Sequence, residues 1–174
     1  MKLIPVKSKD QILYAKVDDD DFEKLSKYKW QLHSDNYAIG WDKKKYGGSG
    51  KMVFMHRHII RPSDGLQVDH VDGDKLNNCK SNLRQCTDTQ NKANSVLKKN
   101  NSTGHKGVWF DGRRKKYRAY IKKNYRTIHL GYFKTLEEAA NAYDQAAIMY
   151  FGEYALTNKM IQERIKNANK LAKN

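Results

Sequence analysis

The stretch from Val68 to Asn94, VDHVDGDKLNNCKSNLRQCTDTQNKAN, constrains this chain more than any other. It opens on an apolar residue and sets Asp69 and His70 side by side. Asp72-Gly73-Asp74 is a tight-turn signal, because glycine supplies the positive φ that a two-residue hairpin turn needs. Asn82-Leu83-Arg84 falls on the returning limb. Thr87-Asp88-Thr89-Gln90 reads as a capping box, with Thr87 as N-cap and Gln90 at the third helical position. The predicted local shape is strand, hairpin, strand, helix, with Asn91 one turn inside the helix. In so small a unit the end of the first strand and the first turn of the helix can face each other. Asp69, His70 and Asn91 can then share one pocket.

That trio has a chemical logic. A carboxylate and an amide oxygen are hard ligands, suited to Mg²⁺ or Mn²⁺, an ion that takes the rest of its shell from water and substrate phosphate. An imidazole beside them, with an ordinary pKa of about 6.5, can take a proton from water at neutral pH. An Asp-His pair or an Asp-Gly turn alone is common in any chain, so it is the ordered set that carries the reading.

Asp69-His70, Asp72-Gly73-Asp74, Asn77-Asn78, Ser81-Asn82-Leu83-Arg84 and Gln90-Asn91-x-x-Asn94 resemble the HNH nuclease motif. More closely, they are similar to its homing-endonuclease branch, encoded by phages and introns. The resemblance implies a ββα-metal core and a metal-dependent DNA endonuclease. It implies Asp69 as metal ligand, His70 as general base, and Asn82 as the residue that holds the loop and orients the base. Asn91 stands where many relatives carry a last histidine, and implies a second metal ligand. An amide oxygen there favours a hard ion over zinc.

The chain has 174 residues and a formal net charge of +15, which argues for a polyanionic partner. Its mean hydropathy of −0.93 leaves room only for small cores. No apolar run approaches the roughly 20 residues of a membrane span, and Met1–Pro5 leads into polar sequence rather than a signal-peptide core. A cytoplasmic, non-secreted protein is expected. Cys79 and Cys86 form no C-x-x-C pair, so two reduced thiols are expected and no structural zinc.

Ahead of the central motif, Lys2 to Ala15 reads as short strands around Ser8-Lys9-Asp10. Asp18–Asp21 opens a short helix to about Lys27 with its carboxylates solvated, acids being favoured in a first turn; a metal site is the alternative. Trp30 to Trp41 reads as two strands around Ser34-Asp35-Asn36, and Lys43 to Lys51 as an exposed hairpin tip. Val53 to Ile60 reads as a strand that points His56 and His58 to one face. These two are accessory candidates, as a second metal site, as phosphate contacts or as structural groups.

Residues 92–104, KANSVLKKNNSTG, have linker composition, with Lys98 and Lys99 suited to a phosphate backbone. The pattern then changes. Val108-Trp109-Phe110 opens a strand, and Asp111-Gly112 turns into the basic run Arg113–Lys116. Tyr117, Ala119 and Ile121 alternate with Arg118, Tyr120 and Lys122, and Ile128 and Leu130 with Thr127 and His129. Thr135-Leu136-Glu137-Glu138 is a second capping box, and the helix it opens runs to about Phe151 with a small-residue stripe. A three-stranded antiparallel sheet on one helix follows, its other face carrying Trp109, Arg118, Tyr120, Lys122 and His129.

Gly107-Val108, His129-Leu130-Gly131-x-Phe133, Glu138-Ala139-Ala140-x-Ala142-Tyr143-Asp144-x-Ala146-Ala147 and Phe151-Gly152 resemble the DNA-binding domain of the plant APETALA and ethylene-response factors. The resemblance implies a sheet that reads the major groove of double-stranded DNA. By position it implies DNA contacts from Lys106, Trp109, Arg113, Tyr120, Lys122, Thr127 and His129; Arg118 and Arg126 join them as cations of the sheet. Trp109 and Asp111 replace arginines of that family and His129 a tryptophan, so the plant target sequence does not carry over.

The fold class expected is α+β. The divisions are a nuclease domain at 1–94 with its ββα-metal core at 66–94, a linker at 95–103, a DNA-binding domain at 104–158, and a helical tail at 159–174. The tail can dock, dimerise or touch DNA; a monomer is the default and a dimer the alternative. The competing function is a DNA-binding regulator with an inactive nuclease core. It predicts loss of Asp69, His70 or Asn91, and all three are present.

Overall fold

The computed structural model describes the backbone of residues 1–42, 50–97 and 100–171, and side chains up to residue 167. The expected hairpin tip at Lys43–Lys51 falls largely outside the described residues, as do Lys98 and Lys99. By its contacts the chain divides into two units, Met1–Thr87 and Asp88–Asn174.

In the first unit, alternating apolar residues build strands β1 (Lys2–Lys7) and β2 (Ile12–Val17), which bury Ile4, Val6, Ala15 and Val17 on one face. Helix α1 (Asp19–Leu25) follows, and Trp30 Nε1 donates to Leu25 O at 2.8 Å, closing the helix end. Strands β3 (Trp30–Leu32), β4 (Ala38–Asp42) and β5 (Lys51–Phe54) complete a five-stranded sheet of order β2-β1-β3-β4-β5. All its pairs are antiparallel except β1 with β3. Short helix α2 (Met55–Ile59) comes next, and its Met55 seals the core with Leu25 and Trp30. A separate hairpin of β6 (Gln67–His70) and β7 (Leu83–Cys86) closes the unit.

Two expectations change here. Residues 55–59 are helical, not strand. The acids after residue 17 are not all solvated: Asp18 Oδ2 accepts from Lys80 N at 2.7 Å, and Asp21 pairs with Lys80 Nζ at 2.8 Å.

The second unit begins with α3 (Asp88–Asn94) and contains β8 (Val108–Asp111), β9 (Lys116–Lys123) and β10 (Arg126–Phe133), in the order β10-β9-β8. Helix α4 (Leu136–Phe151) lies on the sheet, its capping box complete between Thr135 and Glu138. Small residues Ala139, Ala140, Ala146 and Ala147 are buried and let helix and sheet approach closely. Helix α5 (Asn158–Leu171) follows and is the expected tail helix. Among the described residues, no helix is long and apolar enough to cross a membrane.

Gly107 shows how close that approach is. Its φ is +70°, and a Cβ there would sit 2.0 Å from the Tyr143 ring and 2.5 Å from Tyr120 O. Gly107→Ala therefore combines backbone strain with overpacking, and stability should fall by at least about 2 kcal/mol. A urea titration checks this; an unchanged midpoint would contradict the tight approach at Gly107, because neither the positive φ nor the Tyr120 O contact is relieved by moving the Tyr143 ring.

Candidate active site

The last two residues of β6 are Asp69 and His70, 6% and 4% exposed. Antiparallel pairing sets Asp69 opposite Arg84. Arg84 Nε and Nη2 both donate to Asp69 Oδ2, at 3.0 and 2.8 Å. The carboxylate is thus oriented by a part-buried guanidinium.

The expected two-residue turn after His70 is instead a long connection from Val71 to Asn82, ending in a 3₁₀ turn at Lys80–Asn82. Side-chain amides and carboxylates stand in for ladder bonds within it. Asp72 Oδ1 accepts from Asp74 N at 2.8 Å and from Asn82 Nδ2 at 2.8 Å, and its Oδ2 from Asn77 Nδ2 at 2.7 Å. Asn82 Oδ1 accepts from Asp72 N at 3.0 Å, and its Nδ2 also donates to Asn77 O at 2.8 Å. The loop is docked on the free edge of β2 by Lys16 N→Leu76 O and Asn78 N→Lys16 O, both 2.8 Å. Gly73, at φ 80°, takes the one strained turn position.

Asn82 therefore clasps the loop, and a different amide reaches the histidine. His70 Nε2 and Asn78 Oδ1 are 3.3 Å apart, and Asn78 is 1% exposed. Burial pushes the His70 pKa below its ordinary value; the Asn78 contact and the charges of Asp72, Asp69 and Asp74 partly oppose this.

His56 and His58 do not share a face. On α2 they are two residues apart, which turns them roughly 200° from each other. His56 is buried among Tyr37, Phe54 and His70, with ring centroids 4.8, 5.5 and 5.2 Å away. Burial, with the His70 charge second, lowers its pKa to about 3. His58 packs edge-on against Tyr28 at 5.0 Å. Among the described residues no group of three His, Cys, Asp or Glu side chains is arranged to hold a metal. Cys79 and Cys86 are buried and not joined in a disulfide. Asn91 lies on α3 in the second unit.

In that unit, register assembles the expected outer sheet face. Trp109 pairs with Arg118, Tyr120 with His129, and Lys122 with Thr127. Trp109 is 50% exposed, and Arg118 Nε is buried with no hydrogen-bond partner among the described residues. Arg126 pairs with Lys123 at the far end. Arg113 sits in the β8–β9 turn, where Asp111 Oδ1 accepts from the Arg113 and Arg114 backbone N–H groups at 3.1 Å each. Lys106 is placed differently from these. Its Nζ donates to Ala93 O and, at 2.7 Å, to Ser95 O, so its ammonium is committed within the protein.

Residues 53–93 match the HNH endonuclease family and residues 103–153 the AP2 domain, the name of the APETALA-type module. An uncharacterized HNH endonuclease of Acanthamoeba polyphaga mimivirus is 38% identical over 154 residues, covering 84% of this chain and 75% of that protein. The chain belongs to the HNH endonucleases. It is a phosphodiester hydrolase with its HNH module first and a DNA-binding AP2 domain second.

Three residues of this endonuclease escaped the sequence reading. Arg84 stood inside the quoted motif, but only the β6–β7 register reveals that it faces Asp69. Asn78 was indistinguishable by type from its neighbour Asn77. Strict alternation gives no outer-face place to Tyr132. A bulge between His129 and Gly131 shifts the β10 alternation, so Tyr132 joins the outer face opposite Arg118. There it packs on His129 at 4.9 Å, with Arg114 also 4.9 Å over its ring.

Proposed function

We propose that this endonuclease is a homing-type enzyme that cuts double-stranded DNA with a divalent metal, Mg²⁺ or Mn²⁺, at sites chosen by its AP2 domain. The observation that carries the reading is the pairing of Asp69 and His70, adjacent and buried at the end of β6 with a partner on each. HNH nucleases generally depend on a divalent metal. The donors fit a hard ion: Asp69 gives a carboxylate and, by its place in the motif, Asn91 an amide oxygen. When bound, such an ion polarises the scissile phosphate and eases departure of the leaving oxygen.

His70 takes the proton of the attacking water as that water's oxygen bonds to phosphorus. The Asn78 amide nitrogen faces Lys75 O, so its oxygen faces His70 Nε2. Nε2 then carries the ring proton and Nδ1 is the basic nitrogen. Arg84 fixes the carboxylate, and Asn82 keeps the loop that brings Asn78 to the ring.

Trp109, Arg113, Arg118, Tyr120, Lys122, Arg126, Thr127 and His129 form the reading surface, supported by the mix of cations and aromatics that register gathers there. The test is to cleave a pool of random duplexes in Mg²⁺ and sequence the ends. The wild type should cut clustered sites. Lys122→Ala should cost about 1–3 kcal/mol at the preferred site if Lys122 reads a base edge, or weaken all duplexes alike if it meets phosphate. Cuts scattered at random by the wild type would remove site direction from the account.

A further inference from the structure

Helix α3 belongs to two descriptions at once. By sequence it closes the HNH match at residue 93, and by packing it falls in the unit that contains the AP2 domain. A seven-residue helix has too few internal bonds to persist alone. Its support comes from the second unit at both ends. Ala93, 6% exposed, sits in the core with Ile121, Tyr143, Ala147 and Phe151. Its carbonyl accepts from Leu156 N at 3.4 Å and from Lys106 Nζ. At the other end Asp88 Oδ2 accepts from Tyr125 OH at 3.0 Å and from Lys92 Nζ at 2.5 Å.

We infer that Lys106 is a positioning residue of the nuclease: it holds α3 by the carbonyls at its C-terminal end, and through α3 it sets Asn91. This rests on the reading of Asn91 as a metal ligand. The last carbonyls of a helix lack internal partners, and a cation there satisfies them and complements the helix dipole. The Lys106 backbone is itself fixed. Its N donates to Asn158 Oδ1 at 2.6 Å, and its O accepts from Asn158 Nδ2 at 3.2 Å. Asn158 N in turn donates to Asp144 Oδ1 on α4 at 2.6 Å. A rigid path of hydrogen bonds therefore runs from α4 through Asn158 and Lys106 to the end of α3. The family position of Lys106 points to a DNA contact, and the two roles make opposite predictions.

The experiment uses the full chain with Lys106→Met, which keeps the apolar stem and removes the donors, beside Asn91→Ala. Two quantities are read for each: the Mg²⁺ concentration giving half-maximal cleavage, and duplex affinity at two salt concentrations. Lys106→Met should raise the Mg²⁺ half-point roughly 10-fold, the scale for groups that orient a metal ligand, with affinity and salt dependence unchanged. A uniform loss of affinity with a shallower salt dependence and an unchanged Mg²⁺ half-point would make Lys106 a phosphate contact and overturn the inference. If Asn91→Ala shifts the half-point and Lys106→Met does not, the inference fails and the ligand reading stands. If Asn91→Ala leaves it unchanged, the ligand reading fails and the inference falls with it. Should Lys106→Met not fold, Lys106→Arg carries the same test, because it keeps a charge for phosphate but not the fit to two carbonyls.

Discussion

His70→Ala lowers the rate of DNA cleavage by roughly 10²–10⁴, the usual contribution of a general base, and leaves duplex affinity near that of the wild type. The cause is loss of the proposed base, while the proposed reading surface lies in the other unit. The pH profile carries a second signature. A base must be neutral to act, so the rate falls as pH drops through the His70 pKa. Burial holds that pKa below its ordinary value, so the acid limb should lie below about 6.5 and the rate at pH 7 should be on its plateau. Single-turnover rates on one duplex between pH 5 and 8 check both. Wild-type rates in the variant would remove His70 from the mechanism; an acid limb above pH 7 would contradict its environment.

Asp69→Ala abolishes cleavage, and added Mg²⁺ does not restore it. It removes the oxygen proposed to ligate the ion, and it also takes the carboxylate from the part-buried Arg84. Breaking a fully buried pair from one side costs about 3–5 kcal/mol, and this partly exposed pair should cost less, so loss of activity alone would be ambiguous. Asp69→Asn separates the effects. It keeps the shape and an acceptor for Arg84, so it should lose much less stability, yet it lacks the negative charge the ion requires. Thermal melts beside cleavage assays give the comparison. An active Asp69→Asn enzyme would show that the carboxylate serves the fold rather than the metal.

Much of this arrangement is legible in the amino-acid sequence. Asp69-His70, the returning limb and the helix start fell where the structure has β6, β7 and α3. The Thr135–Glu138 capping box and the alanine stripe placed α4, because both signals are local and their physics is local. The misses were of another kind. Residues 53–60 form a short apolar run, which periodicity does not assign between strand and helix, and only the strand reading puts His56 and His58 on one face. Tyr132 was hidden by a bulge, and Arg84 by a register that only the paired strands reveal. The glycine at position 73 suggested the tightest hairpin, whereas the connection is held open by Asp72, Asn77 and Asn82 bonding to one another. Each miss concerns a contact between residues whose spacing in the chain says nothing of their spacing in the fold.

The central claim is that this chain cuts DNA with a divalent metal at Asp69 and His70. Supercoiled plasmid incubated with the 174-residue chain in Mg²⁺, quenched with EDTA and then supplied with excess Mg²⁺, tests it most directly. The account predicts nicked or linear plasmid in Mg²⁺, arrest in EDTA and recovery when the metal returns. Cutting that continues in EDTA, or plasmid that is bound but stays intact in both Mg²⁺ and Mn²⁺, would contradict it.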